Sequence, residues 1–238
     1  MSRWESLLVV QQHDTRADQL VHRSETLPQR AALADVGDQL TVLDGRIAGV
    51  EQRRADLARS QQRLEDEIAS LSERATQAEK QLYSGAVTNP RELQALQDDV
   101  ASIRRRIGQL EDDELEIMEL AEPVDADRSE LAAERARLDA EIERLTGELA
   151  AGEAEIAAEL DVERRARDEA AAGVPDELWA EYDALRSQLG GVAVARLAGA
   201  TCQGCHLGLS AVEVDRIRKL PVDEPVHCEE CGRLLVRD

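Results

Sequence analysis

From Leu33 to Leu82, alternating steps of three and four residues trace a line through Leu40, Leu43, Ile47, Val50, Leu57, Leu64, Ile68 and Leu71. Thirteen of the fifteen positions on that line are apolar, and charged residues crowd the positions between them. An α-helix turns every 3.6 residues, so an apolar repeat of 3.5 held this long forms a narrow seam that another helix must cover. A second seam starts at Leu93 and runs to Ile156, with fifteen of its nineteen positions apolar. Two such seams in one chain need only a reversal between them to satisfy each other.

The reversal is legible in YSGAVTNPRELQ, residues 83–94. Gly85 can adopt the left-handed backbone that ends a helix. Asn89 suits an N-cap, Pro90 the first helical turn, and Glu92 completes a capping box. The expected arms, roughly 4–82 and 90–172, match in length, at about 120 Å each if straight. Matched arms and a capped turn favour an antiparallel hairpin over a parallel dimer. Pro28 and Pro123 each remove a helix hydrogen bond and are expected to break or kink their arm. With the tip setting the register, facing residue numbers should sum to about 172, which brings Arg54 near Glu114.

Four cysteines close the chain, as Cys202-x-x-Cys205 and Cys228-x-x-Cys231. Each C-x-x-C turns two sulfurs toward one point, and two such knuckles supply a tetrahedral shell for zinc. Gly204 and Gly232 sit where the knuckles must turn sharply. A redox C-x-x-C needs a βαβ context that is absent here, and disulfides do not suit a cytoplasmic chain. An iron site uses the same four ligands, and spacing alone does not separate it from zinc. Four sulfurs leave no open position, so the site is structural. The apolar runs at 192–197 and 234–236 read as strands of a small ribbon. Between the knuckles, Ser210 and Glu213 open a short helix that Pro221 stops. The fold class is thus mainly α: a long coiled-coil hairpin over 1–172 with its tip at about 83–90, then a linker helix and a C4 zinc ribbon over 173–238.

Composition agrees. The chain has no Phe, and its aromatic residues are Trp4, Trp179, Tyr83 and Tyr182. That argues against an ordinary globular core for 238 residues and makes metal the expected organiser of the last segment. Trp179 and Tyr182 share one face of a helix opened by Pro175, expected to dock against the ribbon or the hairpin base. The net charge of −21 argues against generic binding to nucleic acid or anionic membrane. No stretch approaches the ~20 apolar residues of a membrane span, and MSRWESLLVVQQHD does not read as a signal peptide, so the expected location is cytoplasmic.

The motifs HDTRADQLVHR with TLP, YSGAVTNPREL, VPDELWAEYDALR, CQGCHLGLS and CEECGRLL together resemble the bacterial C4-type zinc-ribbon proteins with an N-terminal coiled-coil hairpin. His13 stands where that pattern commonly begins with Leu. The resemblance covers essentially the full chain. It implies a non-enzymatic protein in a family whose members are linked to nucleic acid and to protein partners such as alternative sigma factors and secretion components.

No nucleophile motif, P-loop or G-x-G-x-x-G occurs, so the expectation is no enzyme. The residues point to an interaction adaptor that binds protein partners. The alternative is a nucleic-acid module acting through the ribbon. Contact candidates on the ribbon are Arg216, Arg218, Lys219, Arg233 and Arg237; those at the tip are Tyr83, Asn89, Pro90 and Arg91. Arg104, Arg105 and Arg106 could also meet an acidic partner. Pairing of two hairpins into a homodimer is left open by the sequence.

Overall fold

The computed structural model describes residues 2–237. Its elements in chain order are helices α1 (Arg3–Glu25), α2 (Pro28–Tyr83), α3 (Pro90–Ala171) and α4 (Asp176–Gln188), strands β1 (Val194–Ala198) and β2 (Thr201–Cys202), helix α5 (Ala211–Lys219), and strand β3 (Leu234–Arg237). The chain forms two compact units, residues 33–144 and residues 1–32 with 145–238. The division passes through the first turns of α2 and through α3.

In the unit of residues 33–144, α2 and α3 run antiparallel as the seams require. Its buried apolar residues, among them Val36, Leu43, Val100, Ile103, Leu110 and Leu131, lie on the two seams. The tip follows its local chemistry. Gly85 has φ 73°, Asn89 Oδ1 accepts from the Arg91 N–H at 3.0 Å, and Pro90 is the first residue of α3. Cross-arm ion pairs lace the flanks: Arg46–Glu134 at 3.1 Å, Glu51–Arg128 at 2.8 Å and Glu67–Arg106 at 3.1 Å.

The expected pairing of Arg54 with Glu114 is not formed. Arg54 donates instead to Asp125 at 3.0 Å, and Arg128 donates to the same carboxylate. Asp125 lies eleven residues farther along α3, ~16 Å from the Glu114 level, beyond a guanidinium's reach. The paired numbers add to 183 for Glu79 and Arg104, 173 for Glu67 and Arg106 and 179 for Arg54 and Asp125, so the ion pairs do not keep the constant sum of about 172 expected from the tip. Desolvation opposes the Asp125 charge, but hydrogen bonds from Arg128 and Arg54 prevail and hold its carboxyl below the usual range.

The two prolines behave differently. Pro28 ends one helix and starts the next: α1 closes at Thr26, whose hydroxyl donates to the His22 carbonyl at 2.7 Å. Pro123 does not break α3, which runs through it. Its neighbours Ala121 and Val124 are buried, and their packing offsets the ~3 kcal/mol that an internal proline costs.

The other unit joins α1, the last turns of α3, α4 and the ribbon. Its α1 begins with a full capping box between Ser2 and Glu5. Trp4, Leu7 and Val10 of α1, Leu178 and Tyr182 of α4, and Val194, Leu234 and Val236 of β1 and β3 share one core. Two polar side chains on α1 tie it together. The Gln11 amide oxygen accepts from the Ala193 N–H at 2.6 Å while its nitrogen donates to the Gly191 carbonyl at 2.8 Å. Buried Asp14 accepts from the Tyr182 hydroxyl at 2.6 Å and from Arg167 Nε at 3.1 Å. Burial first, then the Asp14 carboxylate, push the Tyr182 phenol far above its ordinary pKa. Arg167 also lies over the Trp179 ring, 4.5 Å from its centroid. The aromatic face of α4 is therefore docked, as its spacing predicts.

Asp14→Ala strands the buried Tyr182 hydroxyl and takes one carboxylate from Arg167 and from Arg186, which keep Asp168 and Asp18. A stranded group costs about 1–3 kcal/mol. Denaturant unfolding should show a loss of about 2–4 kcal/mol for Asp14→Ala and a smaller loss for Tyr182→Phe.

Candidate metal centre

Each knuckle turns because its backbone bonds to itself in the same way. The Cys202 N–H donates to the Leu207 carbonyl at 3.0 Å, and the Cys228 N–H donates to the Arg233 carbonyl at 2.8 Å. Each first cysteine's carbonyl accepts from the residue after the second, His206 or Gly232, both at 2.8 Å. Those two residues hold matching left-handed backbones, φ 60° and φ 73°. Glycine meets that demand without strain at 232; His206 meets it at a steric cost. At Gly204 the demand is space: a Cβ there would lie 2.9 Å from the Ala195 Cβ and 2.7 Å from Arg233 Cδ.

The two knuckles bring all four sulfurs within 4.8 Å of one another. Cys202 Sγ and Cys231 Sγ are 4.0 Å apart, and Cys205 Sγ and Cys228 Sγ 3.8 Å. Four sulfurs at ~2.3 Å from a central zinc form a tetrahedron with edges of about 3.8 Å, so the cage fits that ion. Cys202 and Cys228 are buried and count among the apolar core of the ribbon, with Leu197, Leu209, Val214, Ile217, Val226 and Leu235. Burial pushes the Cys228 thiol up to about 12. At Cys231 burial is overcome by the Arg233 N–H and side chain together with neighbouring cysteines, which bring it down to about 7. One structural zinc held by four thiolates resolves this conflict, and because binding displaces protons its affinity falls as pH falls.

Around the cage, β1 pairs antiparallel with β2 and parallel with β3, in the order β2-β1-β3. The Ser210 hydroxyl caps α5 by accepting from the Glu213 N–H at 3.2 Å. Only half of the expected capping box is present among the described contacts, because the Glu213 carboxylate goes to Arg216 at 2.8 Å. That guanidinium holds the Glu213 carboxyl below its usual range. His227, beside a ligand, has Nε2 2.9 Å from a Glu181 carboxylate oxygen on α4.

The five ribbon cations expected to face a partner are mostly occupied. Arg216 and Lys219 pair with Glu213 and Asp215 on their own helix. Arg233 Nε donates to the Val192 carbonyl at 2.9 Å. Arg237 donates to the carbonyls of Ile217, Leu220, Pro221, Val222 and Glu224, gathering the end of α5 and the following turn. Both arginines are braces, which their position near the last strand did not reveal. Arg218 has no ion pair among the described residues. Of the three arginines at 104–106, Arg104 and Arg106 bond across the arms to Glu79 and Glu67. At the tip, Tyr83, Asn89, Pro90 and Arg91 are all exposed. Nothing in local sequence marked Gln11 or Asp14, since the long-range partners that fix them lie 153 residues or more away.

Cys228→Ser should abolish stoichiometric zinc and shift the emission of Trp4 and Trp179, with most far-UV helical signal retained. Gly204→Ala should keep zinc but weaken it, read by competition with a chromophoric chelator, and chelator sensitivity should increase toward acid pH.

Comparisons with known proteins match both segments. The model of the CT398-like coiled coil hairpin domain matches residues 10–190, and that of the C4-type zinc ribbon domain residues 201–235. The uncharacterized protein Rv2229c of Mycobacterium tuberculosis strain H37Rv is 32% identical over 232 residues, covering 98% of this chain and 94% of that protein. A structure from Mycobacterium smegmatis aligns with a TM-score of 0.87 at 25% identity, covering 99% of this chain and 97% of that one. CT398 from Chlamydia trachomatis aligns at 0.69 and 20% identity over 99% and 98% of the two chains, a likeness of fold alone.

Proposed function

Because the chain belongs to the CT398-like coiled-coil hairpin family with a C4-type zinc ribbon, we propose that it is a non-enzymatic adaptor that engages protein partners, with the hairpin tip as a primary contact. The observation that carries this reading is the placement of its four aromatic rings. Trp4 and Tyr182 are buried and Trp179 is covered by Arg167, whereas Tyr83 at the tip is 83% exposed. A chain this poor in rings places one in solvent where a turn presents it, and Tyr is among the residues that dominate protein interfaces. Asn89, Pro90 and Arg91, exposed at the other end of the same turn, add an amide and a cation on a loop already fixed by its cap.

The zinc supports this role by folding the ribbon; four thiolates complete its shell and leave no position for a substrate. The nucleic-acid reading has less support. Four of its five ribbon cations are tied to carboxylates or backbone carbonyls, and the aromatic face of α4 is packed rather than free to stack. No helix among the described residues is long and apolar enough to cross a membrane. We place the adaptor's work in the cytoplasm.

A photo-crosslinking amino acid at position 83, compared with one at exposed position 62 on α2, tests the reading in cells. Discrete protein adducts from 83 alone are expected, and Tyr83→Ala should weaken the captured partner about tenfold or more with zinc content unchanged. Failure of 83 to crosslink, together with salt-sensitive RNA or DNA binding that Arg218→Ala abolishes, would replace the adaptor with the nucleic-acid module.

A further inference from the structure

A groove of about 600 Å³ lies in the unit that holds the ribbon, between the start of α1, β1 and α5. Its floor is apolar, formed by Trp4, Leu197, Ile217 and Leu235, which already belong to the cores beneath. Its volume falls in the range of sites that accept a small ligand or a few side chains. Val222 stands at its rim, 75% exposed although apolar.

The charge of this groove runs against that of the chain. Its lining includes Arg196, Arg218 and Arg237 and one acid, Glu5. Glu5 is committed to the α1 cap, where Oε2 accepts from the Ser2 N–H at 3.1 Å. The Arg237 charge is met only by carbonyl dipoles among the described contacts, which satisfy its N–H groups without cancelling its charge. Arg218 has no carboxylate partner among the described residues, unlike Arg216 and Lys219 beside it. Arg196 is already engaged, so the charge open to a ligand is that of Arg218, with Arg237 beside it; on a chain of net charge −21, such a groove, whose one acid is occupied, selects for anions that also bring apolar surface.

We infer that this groove is a second docking site, for a short acidic peptide of a protein partner that inserts one or two aliphatic or Met side chains onto the floor and sets a carboxylate against Arg218. This rests on the adaptor reading and gives it a second contact point. The floor favours a peptide over nucleic acid. Trp4 is 8% exposed, with its indole N–H committed to the Val222 carbonyl at 2.9 Å, so it offers no ring face for a base to stack on. Arginine provides the planar fork that grips carboxylates, and the apolar floor provides what a phosphate backbone does not use.

The test is a displayed library of random twelve-residue peptides, selected on the zinc-loaded full chain, with two variants as counter-screens. Arg218→Glu reverses the exposed charge, and Val222→Asp adds an acid at the exposed rim while leaving the backbone bonds of Val222 in place. Zinc content and circular dichroism confirm that both variants fold. Enriched peptides should combine Asp or Glu with Leu, Ile or Met, and bind in the micromolar range. Affinity should fall at least tenfold in each variant and decline with salt. Enriched peptides that bind both variants equally, or that are neutral or basic, overturn the proposal. So does RNA or DNA that displaces the peptides and itself depends on Arg218. Self-association in sedimentation that both variants abolish also overturns it, since the groove would then hold a second copy. The tip and the groove fail separately: crosslinks from position 83 that persist in Arg218→Glu leave the adaptor standing when the groove proposal falls.

Discussion

The four-thiolate cage is the constraint on which the C-terminal ribbon, and the packing laid on it, depend. The core of the ribbon contains no aromatic side chain, and two of its nine buried members are themselves metal ligands. A cluster that small does not offset the chain entropy of some forty residues, so the ion supplies what apolar burial lacks. The consequences run outward. Closing the knuckles brings residues near 202 against residues near 231, which lays β3 beside β1 in parallel register. That pairing presents Val194, Leu234 and Val236 as one surface, and α1 and α4 are packed on it. Metal, sheet and hairpin base are thus one chain of cause.

The parts of this fold that repeat were readable in sequence, and the parts that depend on a single long-range contact were not. The 3.5-residue repeat placed the buried residues of α2 and α3, because a seam is a statistical object written over many heptads. The tip and the knuckles were readable for a different reason: Gly85, Asn89, Pro90 and the C-x-x-C spacings act through their immediate neighbours. Register was the intermediate case. A constant sum taken from the loop does not say which acid a long side chain reaches: Arg54 had several to choose from, and Asp125 offered one that Arg128 also steadies. Pro123 shows tertiary packing overriding a local rule. Arg237 was the most misleading residue, since a cation near a terminus looks free until its five carbonyls are placed in space.

The same contrast explains why charge is a poor guide to partners here. The chain carries 50 acids against 29 Lys and Arg, and the cations it has are largely spent internally. Between the arms they cancel acids on the opposite helix; on the ribbon they hold backbone carbonyls or pair with acids of their own helix. Exposed pairs of this kind are worth little individually, and their value lies in disfavouring registers that juxtapose like charges. A basic residue in the sequence is therefore evidence of a ligand only after its internal obligations are known, and Arg218 survives that subtraction.

The acids left over have their own consequence. Residues 33–144 carry 27 Asp and Glu against 15 Lys and Arg, and seven of those acids fall between Glu111 and Glu122 without one cation among them. None of the seven has an ion pair among the described contacts. Leu115 and Met118 lie within this run, 57% and 46% exposed. On an uncharged surface such residues would invite a second copy, but here each approach of one chain to another sets carboxylates against carboxylates at short range. The repulsion is strong at low salt and screened within ~10 Å at 0.1 M. Self-association of the arms, if the chain uses it, must therefore be promoted by salt, whereas docking of an acidic peptide at the arginine-lined groove must be opposed by it. The opposite sign of the two salt dependences follows from where the few unspent cations lie.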